Sequence, residues 1–340
     1  MNNNKINISI LSLIIISGII LFILNLFIGS TTIPFKDLFR VFLEPDSNPT
    51  ISTIIFSYRL PQAVTALLAG AALSVAGLLM QTLFRNPLAD PSMLGISSGA
   101  GLGVAITILF TGILGGNALS SFGFWSNIGV SITAFLGASV VLTLILGFSR
   151  RVKNMTTLII IGLMISYLAG SFTDILKFFS MKEDIHAFVI WGMGSFSAVG
   201  TSKLTFFSSA IIIGLFASLF LSKNLNILIL GDLYAENLGI NIKRNNLIII
   251  LISGYLTAIV TAYCGPIAFL GIAIPHLSRF IFRTSDHRIL VPAVMLTGMV
   301  SSLLCNLIAR VPGFEGNLPI NAVTAFIGAP VVIWVILRKR

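Results

Sequence analysis

The side chains that could carry out covalent or metal chemistry are few and scattered in this sequence. The chain holds 11 acidic residues and 3 histidines in 340 residues, and no H-E-x-x-H or G-x-S-x-G motif occurs. His186 closely follows Glu183 and Asp184, but such a polar stretch is more typical of a solvated loop than of a metal site. Cys264 and Cys305 stand alone in apolar surroundings, which favours small core residues over a disulfide. We therefore predict no catalytic residue and no metal site.

Nucleotide binding and ion coupling are also disfavoured by the pattern of residues. Gly95, Gly99, Gly101 and Gly103 are closely spaced, but the Lys-Ser/Thr pair of a phosphate loop is absent, so helix packing explains them better. His276 lies within an apolar helix, which favours a hydrogen-bonded packing residue over a proton relay. An ion-coupled secondary transporter needs ionisable groups near the middle of the membrane. Almost every acid here maps to a loop or a helix end, so that class remains the weaker alternative.

The polar residues best suited to contact a partner lie at the ends of apolar segments. Arg59 precedes a Pro-started helix rich in Gly and Ala, and it has two interpretations. It is either a snorkelling interfacial arginine, which the chemistry alone favours, or a docking charge for a partner. The hairpin after that helix contains Asn86, Pro87, Asp90 and Pro91. Because its prolines lack N–H donors, we expect the hairpin in water or against protein rather than in hydrocarbon.

A second polar segment, residues 223–244, is predicted to contain a short helix outside the membrane. Gly231 breaks an apolar run, Asp232 is a favourable N-cap, and Gly239 supplies a C-terminal stop. Leu230, Tyr234 and Leu238 recur every four residues and would share one face. A helix this short is marginal in water, so it packs either on the chain's own surface or in a partner's groove. The helix and its ends comprise Gly231, Asp232, Leu233, Tyr234, Ala235, Glu236, Leu238 and Gly239.

The composition indicates that membrane helices position these polar segments. The chain is 56% apolar and 9% charged, whereas a soluble domain carries about a quarter charged residues. Its apolar runs reach the roughly 20 residues that a helix needs to cross a bilayer, and short alternating segments typical of a barrel are missing. The predicted fold is an all-α integral membrane protein with one transmembrane domain over residues 1–340. Ten spans are predicted, at 8–28, 62–84, 93–114, 126–148, 155–177, 204–222, 246–264, 267–283, 289–309 and 319–337.

The distribution of basic residues predicts the orientation of these spans. Ten spans place both termini on one side, which receives 14 of the 21 basic residues and is therefore cytoplasmic by the positive-inside rule. The firmest anchors are residues 150–153 and 338–340. The net charge of +10 is thus explained by topology, and no nucleic-acid partner is indicated. The hairpin and the short helix would face the cytoplasm, and Arg59 would face the outside.

The chain resembles the FecCD family, the permease subunits of binding-protein-dependent importers for iron–siderophores, haem and cobalamin. The similarity covers nearly the whole chain, with the family's motifs in their expected order. The matching stretches are RLPQAVTALLAGAALSVAGLLMQTLFRNPLADPSMLGISSGAG (59–101), WGMGSFS (191–197), LGDLYAENLGI (230–240), GPIAFLGIAIPHLSRFIFRTSDHR (265–288) and LPINAVTAFIGAP (318–330).

The resemblance implies a type II ABC importer permease with ten helices per subunit. Its implied partners are a second copy or close paralogue, cytoplasmic subunits that hold ATP and Mg²⁺, and an extracytoplasmic substrate-binding protein. The short helix, at about 231–239, corresponds to the family's coupling helix, which occupies a groove of the ATPase; this favours the partner interpretation. Arg59 and Arg310 match outer arginines that pair with glutamates of the binding protein. Some members carry a further docking arginine three positions after Arg59, where this chain has Gln62.

The expected function is therefore ATP-driven import across a bacterial cytoplasmic membrane by a multi-pass subunit that contacts lipid. No Walker A sequence occurs in the chain, so this subunit is expected to bind no cofactor of its own and to have no ATPase site. A ferric siderophore is the expected substrate, with haem or cobalamin as alternatives.

Overall fold

A computed structural model describes residues 2–29, 47–110, 124–152, 154–310 and 317–338, with a few single positions between 33 and 44. Within these ranges the chain is helical and has no β-strand. Seven of the described helices are long and apolar enough to cross a membrane. Three shorter apolar helices lie at Ile96–Phe110, Leu270–Phe282 and Ile320–Trp334. Together these ten segments match the ten predicted spans in order, and the largest difference in bounds is at the start of the second segment.

The helices are numbered here in chain order. They are α1 (Asn2–Phe27), α2 (Pro49–Leu83), α3 (Ile96–Phe110), α4 (Phe124–Ser149), α5 (Met155–Phe179), α6 (Lys182–Gly192), α7 (Thr201–Phe220), α8 (Ser222–Ile229), α9 (Asp232–Asn237), α10 (Ile242–Cys264), α11 (Leu270–Phe282), α12 (His287–Ala309) and α13 (Ile320–Arg338). Parts of two predicted features lie outside the described residues. They are the last residues of span three (111–114) and the basic anchors Lys153, Lys339 and Arg340.

Helix α2 begins more than ten residues earlier than predicted. Asn48 is its N-cap, and its side-chain oxygen accepts a hydrogen bond from the Ile51 N–H at 3.2 Å. The chain then passes through a π-helical segment, Ile54–Arg59, before Pro61. A wider π turn accommodates a proline, whose ring crowds the preceding turn and which donates no hydrogen bond. The sequence prediction was wrong here because it treated this proline as a helix start.

Helix α3 begins later than predicted. Asp90 accepts a hydrogen bond from the Ser92 N–H at 2.8 Å, and Pro91–Leu94 forms a single 3₁₀ turn. Gly95 then adopts a left-handed conformation, with φ of 80°, and the α-helix starts at Ile96. The predicted start at Met93 therefore falls within the 3₁₀ turn.

The described residues form two compact units. The first comprises Met1–Val75, Ser195–Leu215 and Ile267–Arg340, and the second comprises Ala76–Gly194 and Phe216–Pro266. The single domain expected over residues 1–340 stays a prediction.

In the first unit, α12 packs against α1, α11 and α13. The backbones of α2 and α12 also meet closely, since a Cβ atom added at Gly70 would collide with Gly298 O and with Ser302. Ser302 Oγ donates a hydrogen bond to Ala66 O at 2.6 Å across the same contact. Such approach of small residues is the usual way that helices associate in lipid, and it confirms the packing role predicted for the Gly/Ala-rich helix.

In the second unit, α3 packs on α4 and α5, and α10 packs on α4. A Cβ atom added at Gly99 would collide with Gly137 O, and one added at Gly103 would collide with Thr133 O. Gly99 and Gly103 thus serve close helix packing, as predicted. Both cysteines are buried free thiols, at Cys264 in this unit and Cys305 in the first.

Candidate functional site

The segment between α7 and α10 folds into two short helices, α8 and α9. Gly231 separates them in a conformation with φ of 111°, which an L side chain rarely adopts. The first bond of α9 runs from the Ala235 N–H to Gly231 O at 3.0 Å. Gly239, with φ of 83°, follows the helix, and the Ile240 N–H bonds back to Ala235 O at 3.0 Å. The structure therefore confirms the predicted short helix and both of its glycine boundaries.

Asp232 has a different role from the one predicted. Gly231 takes the N-cap position, so Asp232 is the first residue of α9. Its carboxylate accepts a hydrogen bond at 2.5 Å from the Arg85 guanidinium, which also donates to Leu228 O at 3.2 Å. The N-cap prediction was wrong because this carboxylate pairs with a cation 147 residues away in sequence. Arg85 thereby joins the hairpin to the end of α8 and the start of α9.

The two faces of α9 differ sharply in exposure. Ala235 is 0% exposed and packs against the chain. Leu233, Tyr234 and Leu238 are 79%, 66% and 62% exposed, and Leu230 just before the helix is 61% exposed. Three large apolar side chains on a helix of two turns are therefore left uncovered by this chain. This arrangement favours the second of the two interpretations, a partner's groove over self-packing.

The hairpin between α2 and α3 is held by its own polar groups. Asn86 Oδ1 accepts a hydrogen bond from the Leu88 N–H at 3.0 Å, and the Ala89 N–H donates to Asn86 O at 3.1 Å. Asp90 caps the following turn, in which Pro91 occupies the first position. Burial raises the pKa of Asp90, and its hydrogen bonds with Ser92 oppose that shift. The hairpin is thus an ordered turn that presents Arg85 to α9.

The three residues predicted to dock a binding protein come together, but as buried groups. Arg59, Gln62 and Arg310 are 3%, 6% and 7% exposed. Arg59 donates from Nη1 to Leu26 O at 2.8 Å and to Phe27 O at 2.7 Å. These carbonyls end α1, where the helix leaves backbone acceptors unpaired and carries partial negative charge.

Arg310 reaches the same end of α1 from the end of α12. It donates to Asn25 O at 3.0 Å and to the Gln62 side-chain oxygen. Gln62 donates in turn to Asn306 Oδ1 at 2.9 Å, and Asn306 donates to Asn25 Oδ1 at 2.7 Å. Burial and the nearby Arg59 lower the pKa of Arg310 to about 10, so it remains charged at neutral pH.

This polar network changes the interpretation of the outer arginines. In the described residues their guanidiniums cap α1, and Gln62 links α2 to α12. A contact with a binding protein would therefore use the charge of the pair rather than two extended side chains. The docking role stays a prediction.

The FecCD transport family matches residues 15–338 of this chain. The chain belongs to this family. It is 35% identical to the vitamin B12 import system permease protein BtuC of Klebsiella pneumoniae, over 84% of this chain and 83% of that protein. It is 34% identical to the hemin transport system permease protein HmuU of Yersinia pestis, over 89% of this chain and 88% of that protein.

The fold of this FecCD chain also resembles a solved structure. That structure is an inward-facing conformation of a transporter assigned to the metal-chelate ABC type. The TM-score is 0.82 at 31% sequence identity, and the match covers 98% of this chain and 99% of the other. The chain is therefore an all-α membrane permease of the ABC importer type.

Two features of this FecCD chain were missed in the sequence. Arg85 is absent from the predicted contact residues, although its proximity to the hairpin prolines marks a fixed turn from which a side chain can reach another loop. Asn25 and Asn306 lie within the predicted apolar spans 8–28 and 289–309. A carboxamide within an apolar helix is costly unless it is hydrogen-bonded, and this cost was the available signal for a buried polar network.

Proposed function

We propose that this FecCD chain is the permease subunit of an ATP-driven importer that passes a ferric siderophore, or a related metal chelate, from a binding protein into the cytoplasm. In this proposal a second copy or close paralogue completes the pathway, and ATP with Mg²⁺ is held by separate cytoplasmic subunits. Both termini lie in the cytoplasm of a bacterial cell, where the excess of basic loop residues would place them.

The exposed apolar face of α9 is the observation that carries the proposal. Leu233, Tyr234 and Leu238 are mostly exposed in this chain. Fully burying one large apolar side chain contributes about 1.5–3 kcal/mol, so three of them can anchor a helix of two turns in a groove. We assign this groove to the ATPase subunit, as the family resemblance implies for the coupling helix.

The ion pair at the start of α9 offers a route for coupling. When ATP closes the partner subunits, a displacement of α9 acts on Asp232 and hence on Arg85. Arg85 stands directly after α2 and before the capped turn that starts α3, so the displacement reaches the ends of two membrane helices. Because the hairpin is short and ordered, it would transmit the displacement to both helices with little loss.

At the opposite end of the spans, Arg59 and Arg310 supply positive charge for docking of the binding protein. Because both guanidiniums are bonded within the chain, we assign them long-range attraction of acidic residues rather than direct extended salt bridges. Gln62 orients Arg310 through its side-chain oxygen. Shape and apolar contacts must supply most of the affinity, since single exposed ion pairs contribute only about 0–1 kcal/mol.

Two alternatives for the substrate rest on the relatives. The similarity to HmuU favours haem, and the similarity to BtuC favours cobalamin. An ion-coupled secondary transporter is the alternative of a different class, which the matches to ABC permeases disfavour.

Reconstitution in proteoliposomes with the ATPase subunits and the binding protein tests the proposal. We expect uptake of a radiolabelled ferric siderophore that requires both ATP inside the vesicles and the binding protein outside. Haem and cobalamin serve as competing substrates in the same assay. Uptake that follows an ion gradient without ATP would reject the proposal. ATP-dependent uptake of haem or cobalamin alone would assign that compound as the substrate in place of a ferric siderophore.

A further inference from the structure

A polar cavity of about 560 Å³ lies beside α9 in the second unit. It is lined by the C-terminal ends of α2 and α4, the N-terminal ends of α5 and α10, and residues of α8 and α9. Its volume falls in the roughly 300–1,000 Å³ range of ligand sites. All four membrane helices end here on the side predicted to be cytoplasmic, so the cavity is expected at the level of lipid headgroups.

The cavity carries more positive than negative charge. Four basic residues line it, namely Arg85, Arg150, Arg151 and Lys243, against the two acids Asp232 and Glu236. Arg85 is paired with Asp232. Within the described part of the chain, Arg150, Arg151 and Lys243 form no ion pair. Three unpaired cations therefore face one cavity that contains one unpaired acid.

The ends of the helices add to this positive potential. Asn154, Met155 and Thr156, which begin α5, line the cavity, as do Ile242 and Lys243, which begin α10. These helices have 25 and 23 residues. The N-terminus of a long helix carries partial positive charge and favours a phosphate or carboxylate nearby.

Asn246 provides an independent sign of a missing ligand. It lines the cavity and is only 7% exposed, and its side-chain oxygen Oδ1, which is shielded from solvent, has no hydrogen-bond partner. A buried acceptor without a partner is costly, and such groups are rare unless a ligand or water completes them. A ligand that supplies a hydroxyl donor together with a negative charge would satisfy both Asn246 and the surrounding cations.

We infer that this cavity binds a phosphate group that carries a nearby hydroxyl. The phosphate would lie between Arg150, Arg151 and Lys243, and the hydroxyl would donate to Asn246 Oδ1 after a rotation of that side chain turns the oxygen toward the cavity. Two sources share this chemistry: phosphatidylglycerol, with its glycerol headgroup, and free hydrogen phosphate. Basic pockets between membrane helices on the cytoplasmic side are known to hold anionic headgroups, which favours the lipid. The inference does not depend on which substrate is carried.

Native mass spectrometry of the purified chain, titrated with phosphatidylglycerol, tests this inference. Each basic residue near an anionic lipid contributes about fivefold to binding. We therefore expect roughly 30-fold weaker phosphatidylglycerol binding in Arg150→Gln/Arg151→Gln. The matched control is Lys223→Gln/Arg244→Gln, which removes two exposed cations of the same unit that do not line the cavity. Its affinity should stay within about twofold of the unmodified chain, since these side chains would not touch the phosphate.

A second variant separates ligand binding from folding. Asn246→Leu removes the unpartnered oxygen, so the ligand-free chain should unfold at the same or a higher temperature. Its affinity for phosphatidylglycerol should fall by about fivefold, as expected for one lost hydrogen bond.

Inorganic phosphate, added to the chain in phosphatidylcholine nanodiscs, identifies the source. Phosphatidylglycerol binding that depends on Arg150 and Arg151, with no thermal shift from inorganic phosphate, supports the lipid headgroup. A thermal shift from inorganic phosphate that is lost in Arg150→Gln/Arg151→Gln supports free phosphate instead. The inference would be overturned if Arg150→Gln/Arg151→Gln bound each probe as tightly as the unmodified chain does. It would also be overturned if the control Lys223→Gln/Arg244→Gln lost as much affinity for phosphatidylglycerol as Arg150→Gln/Arg151→Gln.

Discussion

Replacing Leu233 by aspartate tests whether α9 docks in a partner. Leu233 is 79% exposed in this chain, so the substitution should leave the unfolding temperature of the permease unchanged. If the ATPase covers this side chain, the variant loses about 2 kcal/mol of apolar burial. A carboxylate placed in the same groove without a partner adds a further cost. The affinity for the ATPase should therefore fall at least roughly 30-fold.

The assay measures binding and transport on the same preparations. Biolayer interferometry with nanodisc-embedded permease gives the affinity for the ATPase subunit, and proteoliposomes give uptake and ATP hydrolysis. We expect Leu233→Asp to lose uptake in proportion to the lost complex. Any ATP hydrolysis that remains at high ATPase concentration should no longer depend on the binding protein.

Two controls separate apolar burial from charge. Asn237→Asp adds the same negative charge at an exposed position of α9 without removing apolar surface, and its affinity should change by less than about threefold. Leu233→Asn removes the apolar side chain without adding charge. It should therefore cause most of the loss of affinity for the ATPase that Leu233→Asp causes. Unchanged affinity and uptake in Leu233→Asp would refute the docking of α9.

Three further perturbations test other parts of the account. Arg85→Gln removes the half-exposed ion pair with α9. Amide hydrogen exchange across α9 should then accelerate by up to about fivefold. Unchanged exchange rates would argue against coupling through Arg85. Arg59→Gln/Arg310→Gln should lower the unfolding temperature because α1 loses its cap, and should slow association of the binding protein most at low salt; salt-independent association would argue against the docking charge. Gly70→Ala should destabilise the fold by about 1–3 kcal/mol through collision with α12, whereas the control Gly170→Ala, which meets open space, should not; equal unfolding temperatures would contradict the close packing.

Features encoded over a few residues could be predicted from the sequence. The limits of α9 follow from Gly231 and Gly239, because both adopt positive φ and stop a helix on either side. The positions of the ten apolar segments follow from run length alone. The small residues of α2 and α3 indicated close helix packing, and the contacts at Gly70 and Gly99 bear this out.

Features that depend on distant parts of the chain could not be predicted in this way. The carboxylate of Asp232 is a good N-cap by type, but its actual partner is Arg85 on another loop. Arg59 is equally suited to water or to a partner, and its burial depends on where the last carbonyls of α1 lie. The early start of α2 required knowledge that a π-helical segment accommodates Pro61.

The central claim is that the exposed face of α9 lies in a groove of an ATPase partner, and site-specific photocrosslinking tests it most directly. A benzophenone amino acid at Tyr234, which is 66% exposed, would be irradiated in the reconstituted complex. The same probe at Tyr167, which is exposed on α5, is the control. We predict an adduct between position 234 and the ATPase subunit, and none from position 167. Absence of that adduct in a complex that transports substrate would contradict the account.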